Sequence, residues 1–302
     1  IFLHGSTISV IYTPNSGQRA INDKLSWIIE YLSSKEIFPT VYATQKSGDC
    51  REIVEKYGKD FDKILVSGGD GTLDEAVSGA LKADIDPIFS YIPTGSTNDF
   101  SKTINISPDI ERATKTAVRG KVKRIDVGKI DDKYFVYVAA FGALSDISFS
   151  TDQEVKNRIG RSAYIVEGIK KLLPIQSMES YQAEIEFDDE LINGDFIHFM
   201  VSNSVSVGGF NLFDDKVGLT DGLFEVTLVK KPESIADLNR IIQALTTGES
   251  SDLVIQRQVK KIRIKTEKEV SWSLDGEFGG KSTDCKIEVV NQRIDIKTGL
   301  ID

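Results

Sequence analysis

The spacing of hydrophobic and polar positions changes once along this 302-residue chain. Up to about residue 125, short apolar runs alternate with helically spaced segments. Ile8 to Tyr12 reads as a strand and TPNSG (Thr13 to Gly17) as a turn. INDKLSWIIEYLSSKEI reads as a helix with Ile21, Leu25, Ile28, Ile29 and Leu32 on one side, stopped by Pro39. PTVYAT, FDKILVSGG and IFSYIP follow as strands, with helices over Gly48 to Tyr57 and LDEAVSGAL between them. This alternation predicts a parallel sheet with crossover helices, whose ligands sit at the carboxyl ends of the strands.

Beyond residue 125 the period shortens. YFVYVAAFGA, YQAEIEFDD, FIHFMVSN, GLFEVTLVKK, VKKIRIKTE, VSWSLDGEF and CKIEVVNQRIDIKT are strand-like, several with strict alternation. Only Arg161 to Leu173 and Ile235 to Leu245 read as helices. The expectation is an α/β protein of two closely packed domains with a cleft between them. The second domain is antiparallel and β-rich, and IDVGKIDD, around Asp126, is the link. VKNRIGRSAYIVEGIKKLLP carries Lys156, Arg158, Arg161, Lys170 and Lys171, with Ile165, Ile169 and Leu172 on an apolar side. Its plain reading is a helix covering the sheet; its functional reading is a basic face for anionic lipid headgroups.

Composition narrows the chemistry. A net charge of -9 argues against broad binding to nucleic acid. Cys50 and Cys285 lack metal-ligand spacing and read as free thiols of a reducing compartment. With only His4 and His198, zinc and histidine chemistry have little to work with. No apolar run approaches the roughly 20 residues that cross a bilayer. The start has no signal-peptide pattern. The expected setting is cytoplasmic, with peripheral membrane contact left open.

Three turns after parallel strands then matter. In GGDGT, Gly68, Gly69 and Gly71 allow close approach, and backbone N–H groups there can hold phosphate oxygens. The next helix adds its positive end, with Thr72 as a candidate cap. The lysine of an ATP-binding P-loop is absent, and Asp70 would repel a bare phosphate. It would instead act through Mg²⁺ or accept a ribose hydroxyl. TGSTND offers Thr94, Gly95, Ser96, Thr97 and Asn98 as small donors, with Asp99 beside them. NSG (Asn15, Ser16, Gly17), with Arg19 just beyond, is the third turn. An ordinary Asp-Gly turn and polar loops are the plain alternatives. Further along, Asp214, Asp215 and Asp221 form an oxygen-rich loop suited to Mg²⁺ or Ca²⁺, or merely solvated. LDGE reads either as a hairpin turn or as Asp275 reaching into the cleft as a base. Glu277 shares its face only if the strand persists past Gly276.

GGDGTLDEAVSGAL together with IPTGSTNDF resembles the catalytic domain shared by diacylglycerol kinases, sphingosine kinases and bacterial soluble lipid kinases. NSG, IDVG and LDGE lie at fitting positions, so the resemblance spans nearly the whole chain. It implies an N-terminal α/β nucleotide-binding domain with a parallel sheet (1–127, with 289–302 returning to it) and an antiparallel β-sandwich-like lipid-substrate domain (128–288). It also implies ATP, Mg²⁺ and a lipid hydroxyl as acceptor, from diacylglycerol or a related lipid at a membrane surface. A homodimer is compatible with it. By the same resemblance Asn15, Ser16, Gly17, Gly68, Gly69, Asp70, Gly71, Thr72, Thr94, Gly95 and Asn98 line the nucleotide site. Asp70, Asp99 and Asp126 organise Mg²⁺. Asp215, Leu219 and Asp221 fall near a structural Mg²⁺ site, and Asp275 is the base, supported by Glu277. Thr13 and Ser96 depart from the usual NPxSG and GTxND patterns but keep small polar groups. NAD kinase shares GGDGT but not TGSTND. A non-catalytic nucleotide-binding regulator would not need the base.

Overall fold

The computed structural model describes residues 7–16, 20–95, 98–143, 174–203 and 218–299. By internal packing the chain groups into two units, Ile1–Ile125 with Gln292–Asp302, and Asp126–Asn291.

The first unit is built on parallel strands. β1 (Thr7–Tyr12), β2 (Phe38–Ala43), β3 (Lys63–Gly68) and β4 (Ile88–Pro93) stand in the order β2-β1-β3-β4, and each neighbouring pair is parallel. Val10, Ile11, Ile64, Leu65, Val66, Phe89 and Ile92 are all buried. Such continuous burial marks strands covered on both faces. Helices α1 (Ala20–Ser33), α2 (Asp49–Tyr57) and α3 (Asp70–Lys82) make the crossovers. α4 (Asp99–Thr103) and α5 (Ile110–Arg119) follow β4. On α1, Ile21, Ile28 and Leu32 are buried, while Leu25 and Ile29 are half-buried. The chain steps from β1 out to β2, then returns past β1 to β3. Strand order therefore reverses between β1 and β3, the point at which open parallel sheets bind their ligands.

The second unit is antiparallel. β5 (Lys121–Ile130) and β6 (Lys133–Phe135) form a hairpin. β7 (Val138–Gly142), β8 (Tyr181–Phe187), β9 (Glu190–Ser202), β10 (Phe224–Lys230), β11 (Val254–Val259) and β12 (Lys261–Leu274) follow. α6 (Ile235–Thr247) opens on a Ser234–Asp237 capping box, which satisfies N–H groups at its start. One face of the ladder is aromatic: Phe141 stacks on Phe199 with ring centres 5.4 Å apart, and Trp272 meets both edge-on. Burying each such side chain stabilises the fold by about 2–3 kcal/mol.

The mixed α/β class holds. The two closely packed domains expected from the sequence are not separate in the strand pairing: among the described residues the strands form one 13-stranded sheet. The reason is β13 (Glu277–Thr298), a single strand of 22 residues. It pairs antiparallel with β12 along its first part and parallel with β4 near its end, where Asp295 lies against Ile88. The basic segment Lys156 to Lys171 and the helix expected over Arg161 to Leu173 lie outside the described residues.

Two buried ionisable groups give the second unit a pH signature. Burial pushes His198 down to about 4 and Glu225 up to about 7. The stability from His198 is full above its ordinary value of 6.5 and is lost as pH falls toward 4. The stability from Glu225 is full below its ordinary 4.5 and is lost as pH rises through 7. Their contributions therefore favour pH of about 5 to 6. Glu225→Gln is expected to recover about 2 kcal/mol of what the wild type loses between about pH 5.5 and about pH 8. Urea unfolding at both pH values checks this. An equal loss in variant and wild type would exclude Glu225 as the source.

Candidate functional site

In the first unit, β3 ends at Gly68 and α3 begins at Asp70, with Gly69 in the N-cap position. GGDGT is therefore a two-glycine turn followed by the first helical turn. The candidate cap at Thr72 is not made: no side chain caps α3, because Thr72 already lies inside it and donates its N–H to the Gly69 carbonyl at 3.0 Å. The amino end of α3 keeps its positive partial charge without a side-chain cap, while Asp70 sits in the first turn. The turn after β4 crosses the first one. Thr94 and Gly95 both donate N–H bonds to the Gly68 carbonyl, at 2.8 and 3.0 Å. A Cβ on Gly95 would lie 2.4 Å from the Gly69 Cα, so this crossing needs glycine.

Hydroxyl groups gather at the same sheet edge. Thr44 Oγ1 donates to Thr13 Oγ1 at 3.2 Å, and Thr13 Oγ1 lies 3.4 Å from Thr72 Oγ1. Ser67 Oγ lies 3.3 Å from Thr94 Oγ1, which donates to Ser16 Oγ at 3.4 Å. These residues end or follow β1, β2, β3 and β4, so every parallel strand of the order contributes. Asn15 is exposed. Gly17, Arg19, Ser96 and Thr97 lie outside the described residues. Thr44 and Ser67 belong to no motif read from the sequence. Their only signal is position, each at the carboxyl end of a predicted strand.

Asp70 ties the two turns together. Its Oδ2 accepts the Asp99 N–H at 2.8 Å, and its Oδ1 accepts the Tyr91 hydroxyl at 3.3 Å. Tyr91 is buried, and desolvation followed by the nearby Asp70 pushes its hydroxyl well above the usual range, so it stays protonated as a donor. Sequence reading missed Tyr91, which looked like one more apolar position of β4. Asn98 clamps the second turn: its Oδ1 accepts the Gly95 N–H at 2.9 Å and its Nδ2 donates to the Gly95 carbonyl at 2.7 Å. Lys102 Nζ sits 2.6 Å from Asp99 and offsets its charge.

In the second unit, Asp126 is held by backbone and side-chain bonds. Its Oδ2 accepts the Gly222 N–H and its own N–H donates to the Leu219 carbonyl, both at 2.8 Å. Asn203 Nδ2 donates to the Asp126 carbonyl at 3.0 Å. Asp126 thus joins the loop of Leu219 and Asp221. Asp214, Asp215 and Lys216 lie outside the described residues. Two carboxylates and a carbonyl suit Mg²⁺, which keeps several waters and needs few protein oxygens. No group of three His, Cys, Asp or Glu side chains gathers for a metal among the described residues.

Asp275 and Gly276 form the two-residue turn between β12 and β13, with φ of 48° and 96°. Positive φ at both positions is the type I′ signature, which Gly and Asp tolerate. The Asp275 carboxylate is buried and collects three backbone N–H bonds. Val136 donates to Oδ2, and Tyr137 and Val138 donate to Oδ1 at 3.0 and 2.7 Å. The strand does not persist past Gly276. Glu277 instead pairs across the hairpin with Leu274 and is exposed, so the two carboxylates are not same-face neighbours of one strand.

Crossed glycine turns and clustered hydroxyls at the switch point of a parallel sheet place the first unit in the class of α/β proteins whose ligands sit at the carboxyl ends of the strands. The profile of the diacylglycerol kinase catalytic domain matches residues 7–130. The chain is 30% identical over 275 residues to a diacylglycerol kinase of Bacillus subtilis (strain 168), covering 90% of this chain and 89% of that one. It is 31% identical over 275 residues to a diacylglycerol kinase of Staphylococcus epidermidis (strain ATCC 12228), covering 90% and 86%. The crystal structure of a diacylglycerol kinase from Bacillus anthracis str. Sterne shares the fold, with a TM-score of 0.75, 23% identity and 98% of each chain covered. The chain belongs to the diacylglycerol kinase catalytic domain family and is a phosphotransferase. Among the described residues no helix is long and apolar enough to cross a membrane.

Proposed function

We propose that this chain is an ATP-dependent lipid kinase that transfers the γ-phosphate to a hydroxyl of diacylglycerol or a related lipid. The observation that carries the reading is the crossing of the Gly68–Gly69 and Thr94–Gly95 turns among hydroxyls from four strand ends. Residues 1–127 with 289–302 bind the nucleotide, and residues 128–288 receive the lipid. Asn15, Ser16, Gly17, Gly68, Gly69, Gly71, Thr72, Thr94, Gly95 and Asn98 line the phosphate site, where the hydroxyls of Ser16, Thr72 and Thr94 and the amino end of the helix that follows Gly69 favour the phosphate oxygens. Asp70, Asp99 and Asp126 serve as oxygen donors for Mg²⁺ around the phosphates, and Asp215, Leu219 and Asp221 for a structural Mg²⁺. Bound Mg²⁺ supplies positive charge that offsets the phosphate oxygens.

Asp275 accepts the proton of the lipid hydroxyl as its oxygen bonds to the γ-phosphorus and the bond to the β-phosphate bridging oxygen breaks, releasing ADP. The three N–H bonds hold this carboxylate in one orientation, and positioning is the larger part of such catalysis. Glu277 adds negative charge nearby. The enzyme acts in the cytoplasm and docks briefly at anionic membrane, with Lys156, Arg158, Arg161, Lys170 and Lys171 as the contact.

Transfer from γ-labelled ATP to dioctanoylglycerol, phosphatidylglycerol, sphingosine, undecaprenol and NAD, assayed side by side, tests the reading. Label is expected in the phosphorylated diacylglycerol. Label in NAD, or in no lipid while ATP still binds, would overturn the assignment.

A further inference from the structure

The face of the antiparallel ladder opposite the aromatic core changes character along its length. Where Val229 and Val254 pack with Leu238 and Ile241 of α6 it is apolar. Beyond that point buried polar side chains join the apolar ones. Going back along β10, the same face carries Thr227 and then Glu225. Glu225 is paired with Ser202 on β9 and with Gln258 on β11, and Thr227 is paired with Met200 and Gln256. Paired residues of antiparallel strands share a face, which makes Ser202, Glu225 and Thr227 neighbours. None is more than 1% exposed.

Three polar atoms here, Ser202 Oγ, Glu225 Oε2 and Thr227 Oγ1, have no hydrogen-bond partner among the described residues. The other Glu225 oxygen does: Gln258 Nε2 donates to Oε1 at 3.1 Å. Buried polar atoms are nearly always partnered, because leaving one unmet carries its full desolvation penalty. Three adjacent ones destabilise the fold for no structural return, a pattern typical of sites kept for function. Register links this patch to the catalytic turn. Ser202 also pairs with Val138, and Val138 bonds Asp275 through both its N–H and its carbonyl. At about 4.8 Å per strand, Ser202 lies about 10 Å and Glu225 about 15 Å along the row from Asp275. The chemistry of the patch is specific. Two hydroxyls can donate to ester carbonyls, and one carboxyl oxygen can bond a hydroxyl. No Lys or Arg belongs to these rows to receive a phosphate.

We propose that Ser202, Glu225 and Thr227 form a subsite for the uncharged ester-bearing glycerol head of the acceptor, and thereby determine which lipid is chosen. The inference rests on the lipid kinase reading and adds the residues that select the head. Burial, which pushes Glu225 up to about 7, keeps a substantial share of it neutral and suits an uncharged partner.

The test uses dioctanoylglycerol as the probe, with Ser202→Ala, Thr227→Val and Glu225→Gln in the full chain. Ser202→Ala and Thr227→Val are each expected to raise KM for dioctanoylglycerol by about 5- to 20-fold, the loss of one hydrogen bond. KM for ATP and kcat should hold, and the melting temperature should rise because an unmet hydroxyl has gone. Glu225→Gln keeps the shape and should alter KM for the lipid alone. Unchanged KM in all three variants overturns the subsite and leaves buried water as the occupant. A lower melting temperature with parallel losses for ATP and lipid also overturns it, in favour of a structural role. If the wild type phosphorylates no lipid, the lipid kinase reading fails by itself, and binding decides the subsite. A dioctanoylglycerol-induced rise in melting temperature that Thr227→Val abolishes supports it; no rise in the wild type overturns it.

Discussion

Asp275→Asn is expected to lower kcat by about 100-fold or more, the usual contribution of a positioned general base, while the protein stays folded. The hairpin turn survives, because asparagine tolerates the φ of 48° that Asp275 adopts. The amide oxygen can still take the N–H bonds of Tyr137 and Val138. Its NH₂ must then face the Val136 N–H, donor against donor, where the carboxylate oxygen had accepted. That mismatch costs about 1–3 kcal/mol, so the melting temperature should drop by a few degrees. Two measurements together decide the outcome. Single-turnover kinetics reads the chemical step, and the stabilisation of the variant by an ATP analogue reads the nucleotide site. Full retention of turnover would remove Asp275 from the base role and leave it as the lock of the β12–β13 turn.

Gly95→Ala should weaken ATP binding by about 10- to 100-fold, through overpacking that costs about 1–3 kcal/mol. The new methyl would sit 2.4 Å from the Gly69 Cα, 2.8 Å from Asn98 Oδ1 and 3.1 Å from the Gly69 nitrogen. Two of these contacts are backbone, so no rotamer change relieves them. The crossed turns must separate, and with them the N–H bonds from Thr94 and Gly95 to Gly68. Gly248→Ala is the control. Gly248 has a φ of 74°, yet a Cβ there meets nothing within 4 Å. That substitution should cost stability through backbone strain alone and leave ATP affinity intact. Calorimetric titration with a non-hydrolysable ATP analogue compares the two. Wild-type affinity in Gly95→Ala would mean that the crossing does not hold the phosphates.

How much was legible in the chain differed from one residue to the next. The strand and helix alternation up to β4 and the position of the glycine turns follow from local periodicity and from the need for residues without side chains. Those requirements are written at the positions concerned. The helix start within GGDGT was misjudged because Asp-Gly-Thr satisfies a turn and a first helical turn equally well. Tyr91 was hidden by its own burial pattern, since an apolar strand position and a buried hydroxyl donor look alike in sequence. Thr44 and Ser67 were hidden for the opposite reason: isolated small polar residues carry no motif.

By itself the sequence determined the α/β class, the parallel order of events in the first unit, and the family, through TGSTND and LDGE beside GGDGT. Local preferences and short motifs depend on neighbours along the chain, so they can be read there. Only the tertiary structure decided that Asp70 bridges the two turns through Asp99 and Tyr91, and that Asp126 joins the loop of Leu219 and Asp221. It also decided that one long β13 makes a single sheet, and that Asp275 and Glu277 part company at a hairpin. Each of these depends on strand register and on hydrogen bonds between residues far apart in the chain, and a shift of one residue reverses which face a side chain occupies.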